Sequence, residues 1–137
     1  MKLQSFFFMA IFGFSACTQV QTNANKTNNK PAAEKYANIS GEYDAVGNTE
    51  KSMASATIAY IGDNKIKFAV TTATESGCVG EVEGVAIIGT DGIATYSAKD
   101  CQLLTFKFDS PKLSITEENC DLHGARCDFE GEYLKAK

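Results

Sequence analysis

No tryptophan occurs in the 137 residues, histidine occurs once, and no pair of cysteines is spaced Cys-x-x-Cys. A structural zinc site wants four nitrogen or sulfur ligands, with close cysteine pairs among them. His123 alone, with six residues separating Cys120 from Cys127, does not meet that requirement, and no metal is expected. No serine, cysteine or carboxylate is tied to His123 by a recognisable motif, so general-base chemistry has no partner and no catalytic residue is assigned. No glycine-rich phosphate loop is present, because GTDG (Gly89–Gly92) sits where a hairpin turn is expected, and no cofactor is implied. There is no basic stripe either. Over residues 39–137 acids exceed bases by seven, which disfavours nucleic acid and anionic membrane surfaces as partners.

Long apolar runs are missing as well. The longest, Phe6 to Phe14, is far short of the roughly 20 residues that span a bilayer. It follows Lys2 and ends in small residues, the layout of an export signal. The stretch FSAC, ending at Cys17, resembles the lipobox of bacterial lipoproteins, although Phe14 stands where leucine or valine is usual. That resemblance implies acylation of Cys17, so the membrane is a partner through an N-terminal lipid and residues 1–17 are a lipoprotein signal peptide. Residues 18–38 are polar, rich in asparagine and threonine, and cannot bury enough surface to offset chain entropy. They are expected to form a flexible tether. Residues 39–137 are the size of one domain.

In that domain the hydrophobic period is two. KIKFAV sets Ile66, Phe68 and Val70 against Lys65 and Lys67. CQLLTFKF sets Leu104, Phe106 and Phe108 on one face, and CDFEGEYL closes the chain with Phe129 and Tyr133. Turn signals at GDN, GTDG and DSPK separate about eight such runs. The fold class expected is all-β, a single eight-stranded antiparallel meander barrel. The triplet GEY occurs in the first and last strands, at Gly41–Tyr43 and Gly131–Tyr133, which are neighbours once such a sheet closes. Glu81, Glu83, Glu130 and Glu132 fall on the wet outer face rather than forming acid–base pairs. Tyr43, Phe68, Tyr96, Phe106, Phe108, Phe129 and Tyr133 are expected inside, as core rather than pocket.

The remaining four cysteines, in an exported chain, favour disulfides. Alternating strand direction places Cys78, Cys101, Cys120 and Cys127 all at one rim. Pairing Phe108 with Leu113 and Phe106 with Ile115 across DSPK sets Cys101 opposite Cys120, leaving Cys78 for Cys127. The competing set is Cys78–Cys101 with Cys120–Cys127. An extra residue at Leu103–Leu104 implies a bulge. Each bridge of the first set stabilises by roughly 3–4 kcal/mol in the chain-entropy model. The tether enters at the other rim, where the turns are tight, so the stapled, loop-rich rim faces away from the membrane. Loops held by a rigid scaffold are where binding concentrates. His123, Arg126, Asp121 and Glu118 are the candidate binding residues.

The sequence of an opening G-x-Y, a central GEVEGVA, two cysteines flanking alternating Leu and Phe, and a closing G-x-Y resembles small exported bacterial lipoproteins of β-barrel type, a likeness that brings no assigned chemistry. There is a weaker resemblance to the bacterial lysozyme inhibitors. Ser40–Tyr43 is one residue short of their Ser-Gly-x-x-Tyr motif, and His123 and Cys127 stand where it would want Ser and Tyr, so none of their inhibitory residues is carried over. The function expected is a lipid-anchored envelope protein acting without catalysis as an interaction or ligand-binding module through its membrane-distal rim. An envelope protein would be its partner. An inhibitor of a cationic hydrolase such as lysozyme is the alternative, and a small-molecule carrier is a weaker one.

Overall fold

The structure, a computed structural model, describes residues 35–137. Cys17 and most of the expected tether lie outside the described residues. After a 3₁₀ turn at Ala37–Ile39, eight strands follow: β1 (Gly41–Ala45), β2 (Ser52–Gly62), β3 (Lys65–Thr74), β4 (Val79–Ile88), β5 (Ile93–Ala98), β6 (Cys101–Asp109), β7 (Lys112–Cys120) and β8 (Gly131–Lys135). They pair in sequence order and close into a barrel, with β1 antiparallel to β8 through Tyr43–Lys135, Asp44–Leu134 and Ala45–Tyr133. The all-β, eight-stranded antiparallel meander barrel read from the period-two pattern is therefore the observed fold. Residues just before Ile39 also pack on the barrel, since Tyr36 is buried and its ring lies on Tyr60 at 5.6 Å.

Local chemistry explains the turns. Asp63 and Asn64 both take positive φ, the two-residue geometry whose twist matches a right-handed hairpin. Inward positions alternate as the pattern demands: Ile66, Phe68 and Val70 on β3, Leu104 and Phe106 on β6, Leu113 and Ile115 on β7 are all buried. Phe68 and Phe106 meet at 4.7 Å across the lumen and each contributes about 2–3 kcal/mol by buried area.

The repeated GEY triplet proves to be a repeated structure. Gly41 and Gly131 have φ of 149° and 154°, a region open to glycine and strained for any other residue. Two residues on, the Tyr43 hydroxyl donates to the Ile39 carbonyl at 2.7 Å, and the Tyr133 hydroxyl donates to the Phe129 carbonyl at 2.8 Å. Each tyrosine thus reaches back four residues and pins the chain where it bends into its strand, the logic of a tyrosine corner. Because β1 and β8 run in opposite directions, one corner closes each rim.

The cysteines form Cys78–Cys127 and Cys101–Cys120, and all four lie at the rim where β1 ends. The β6–β7 register, Phe108–Leu113 through Cys101–Cys120, carries no slip. The extra residue foreseen near Leu103 is accommodated on the other side of β6, where the β5–β6 register shifts between Tyr96 and Ala98. Asn119, at φ 49°, supplies the matching step in β7. Both strands change facing together, so Cys101 and Cys120 are buried although they break the alternation of Leu104 and Ile115.

Candidate functional site

The stapled rim is built from the β1–β2, β3–β4 and β5–β6 connections and the long segment Asp121–Glu130 between β7 and β8. That last segment does not hang in solvent. Its Leu122 carbonyl accepts from Glu81 N at 3.4 Å and its Gly124 N donates to the Val79 carbonyl at 3.3 Å, so His123 bridges Gly80 as a short extra strand on β4. A side chain at Gly80 would collide with the His123 Cβ, and one at Gly124 would meet the Cys78 sulfur at 2.8 Å. Two missing Cβ atoms and one disulfide therefore seat the segment across the mouth. Cys127 belongs to this cover and not to β8, which starts only at Gly131, four residues later than the pattern implied.

His123, a candidate binding residue, is enclosed, with 13% of its side chain exposed. Its Nε2 lies 2.8 Å from Glu117 Oε1 and its Nδ1 lies 3.0 Å from the Gly124 carbonyl. Both partners are acceptors, so both ring nitrogens must donate, which is the imidazolium form. Burial alone would push its pKa down. The Gly124 carbonyl, then the hydrogen bond and charge of Glu117, and finally Asp128 more than offset that and raise it. The other Glu117 oxygen accepts from Phe129 N at 3.0 Å, and the Phe129 carbonyl takes the Tyr133 hydroxyl. One line of hydrogen bonds therefore runs from His123 through Glu117 to the upper tyrosine corner. Burial first, with Asp128 and Glu117 behind it, pushes the Tyr133 pKa up to about 12. His123 is a fastening of the rim.

Glu117 was not among the sequence candidates, yet a signal for it exists. Leu113 and Ile115 face inward, and the same alternation carries Glu117 to the inner side. A carboxylate on a core face needs a partner, and the chain has a single histidine to offer.

The other candidates are not gathered into one site. Glu118 lies on β7 opposite Leu103, and Asp121 donates its backbone N–H to Asp100, while both side chains are exposed. Arg126 instead borders an open cleft of about 330 Å³ with Thr72, Thr74, Ser52, Asn48 and Asp128. Thr72 is the one buried polar residue of the barrel. Asn48 is already spent, its amide giving and taking hydrogen bonds with the Ala54 backbone at 2.9 and 2.7 Å. The cleft thus offers hydroxyls, one guanidinium and the carboxylates of Asp128, Glu130 and Glu132 at the mouth of a side-chain-filled barrel. Among the described residues no group of three or more His, Cys, Asp or Glu side chains comes together to hold a metal, and no helix is long and apolar enough to cross a membrane. Comparison with family models, curated proteins and solved structures finds no match, so the geometry of this rim is what speaks for function.

Proposed function

We propose that the protein is exported, anchored to the bacterial cell envelope by lipid on Cys17, and acts without catalysis as an interaction or ligand-binding module through its stapled rim. One observation carries this reading. The chain reaches the barrel at the rim of Tyr36 and Ile39, while both disulfides and the Arg126–Thr72 cleft lie at the opposite rim. An anchor attached upstream of Tyr36 leaves the cleft facing outward. The reading has two parts and two tests. Metabolic labelling with palmitate is expected to mark the wild type and not Cys17→Ser. A pull-down from envelope extract is expected to recover a partner that an Arg126→Ala, Asp128→Ala double variant loses. Equal recovery by both would sink the rim assignment. His123→Ala is the wrong probe, since it would unfasten the rim.

An inhibitor of a cationic hydrolase such as lysozyme is the second reading, favoured by the acid excess of seven over residues 39–137 and by Asp128, Glu130 and Glu132 beside the cleft. Opposite charge would hasten encounter and make it salt-sensitive. A lysozyme activity assay at low and high salt decides, and no inhibition at micromolar protein removes it. A lumen carrier has less support, because Tyr43, Phe68, Phe106 and Tyr133 pack the interior. Native mass spectrometry of freshly purified protein tests it.

A further inference from the structure

Acids exceed bases by seven over residues 39–137, but that figure averages two unlike ends. The lower end is the rim where the chain enters: the first or last three residues of each strand there, with the turns and tail beyond them. It holds six of the nine bases, Lys65, Lys67, Lys107, Lys112, Lys135 and Lys137, against four acids. The rest of the domain, including the stapled rim, holds three bases and twelve acids. A domain of net negative charge thus carries a positive end.

Exposed apolar side chains are set among these lysines. On the outer face of the wall Lys65 stands opposite Ile87 and Lys67 opposite Val85, and Ile61 precedes the Gly62–Lys65 pair by one residue. All five are exposed, while Ile66, Phe68, Ala86 and Ile88, which alternate with the lysines and with Val85 and Ile87, are buried in the core. Neither lysine makes an ion pair among the described residues. Of the nearby turn acids, Asp91 is spent on the Ile93 N–H at 3.0 Å. The next outward residue up β4, Glu83, is exposed and marks where the acid-rich part begins. Lysine stems lie along apolar neighbours while their ammonium groups reach past them. That mixture suits an anionic lipid surface, where apolar groups enter the acyl boundary and ammonium groups meet phosphates.

We infer that the protein rests on an anionic bilayer by this β2–β4 face of its lower end, with the stapled rim turned away. Nearness to the bilayer rests on the attachment proposed above; the choice of face rests on the lysines and their apolar neighbours. Lys35 and Tyr36 line one recess with Lys107 and Ser110, so the described chain starts at this end. Cys17 precedes Lys35 by eighteen residues, which can reach up to about 60 Å, so an anchor by itself leaves the barrel free to turn. What an anchor adds is local concentration, about millimolar for a linker of this kind, at which a weak surface contact holds. Orientation then follows from the charge difference. Each lysine near an anionic surface is worth about fivefold in partition, and the acids of the other end are repelled. The same lysines would attract an acidic protein, but the chain's own attachment brings the bilayer to this end and brings no such protein.

The test is NMR on the full chain with bicelles that carry a nitroxide-headgroup lipid, made of phosphatidylcholine alone or mixed with phosphatidylglycerol. With phosphatidylglycerol the amides of Ile61, Lys65, Lys67 and Ile87 are expected to broaden well beyond those of Glu75 and Arg126. The contrast is expected to fade with phosphatidylcholine alone and at high salt. Lys65→Glu with Lys67→Glu is expected to cut the broadening about fivefold or more. If that variant does not fold, the lipid and salt dependence of the wild type still decides. Equal broadening at both ends, the same pattern on phosphatidylcholine alone, or no change on charge reversal would each overturn the face. A pattern that stands without palmitate labelling removes the Cys17 anchor and keeps the face, whereas labelling without the pattern removes the face and keeps the anchor.

Discussion

Two tyrosine corners close the same pair of strands, and they are fastened differently. Below, Tyr43 bonds to Ile39 beside a 3₁₀ turn whose extra ties among the described residues include Tyr36 on Tyr60, Ser40 Oγ accepting from Tyr60 N at 2.8 Å, and Lys135 Nζ reaching the Asn38 carbonyl at 2.7 Å. Above, Tyr133 bonds to Phe129, whose own N–H is held by Glu117, which holds His123, in a segment stapled to Cys78 through Cys127. Backbone geometry is nearly the same in both. What differs is the supply of apolar cover. The lower corner has its own aromatic lid, while the upper one sits under a segment whose apolar contribution is little beyond Leu122 and Phe129, and there covalent and ionic links do the holding.

The largest expected effect comes from cutting the upper corner's staple. Replacing Cys78 and Cys127 by alanine is expected to cost about 4 kcal/mol, against about 3 for Cys101 and Cys120, in line with sequence separations of 49 and 19. Urea denaturation measures both, and hydrogen exchange should show the loss concentrated at Phe129–Tyr133 with Ile39–Tyr43 unmoved. Equal loosening of both corners would erase the distinction.

Next come the glycines. Gly131→Ala meets only the Tyr133 ring, at an ordinary contact distance of 3.8 Å, so it isolates the backbone penalty at φ 154°, about 1–3 kcal/mol. Gly41→Ala adds a collision with Lys135 Cε at 2.6 Å and is expected to cost slightly more unless that flexible chain swings away, which would break its bond to Asn38. Tyr43→Phe and Tyr133→Phe each remove one buried hydroxyl bond and are expected to cost about 1–2 kcal/mol. A clearly larger loss at Tyr133 would show that its corner is coupled to Glu117.

The smallest effect is the one with a direction in pH. The pKa of His123 in the folded protein lies above the ordinary histidine value of 6.5. The contribution of its pairing with Glu117 is then fully present below that value and is lost as pH rises through the raised folded one. Melting temperatures between about pH 5 and about pH 8 should fall more steeply in wild type than in His123→Asn or Glu117→Gln. A parallel fall in all three would remove the ionic tie from the account of the upper corner.

Much of the barrel was legible because its period and turn residues are local. Register counted back from Ser110–Pro111 was enough to bring Cys101 to Cys120, and the parity of strand directions was enough to put four sulfurs on one rim. The GEY repeat was visible as a match but not as a structure, since the bond that gives it meaning runs to Ile39 and Phe129, outside the triplet. The site was less legible. That Asp121–Glu130 folds back on β4 depends on Gly80 leaving room for His123, a contact between residues 43 positions apart with no shared pattern. The short β4–β5 ladder, paired only at Ile87–Thr95 and Ile88–Ala94, has the same character: Tyr96 and Gly84 look ordinary in their own strands and matter only when they meet.

Closure through β1 and β8 makes the two ends of the described chain each other's missing neighbour. Until Gly131–Lys135 has emerged and docked, Tyr43 has a wall on its β2 side alone and the sheet keeps two raw borders. A shortened chain stopping before Gly131 should therefore behave as an adhesive, aggregating ribbon and not as a slightly weaker barrel. Folding has to wait for the last strand.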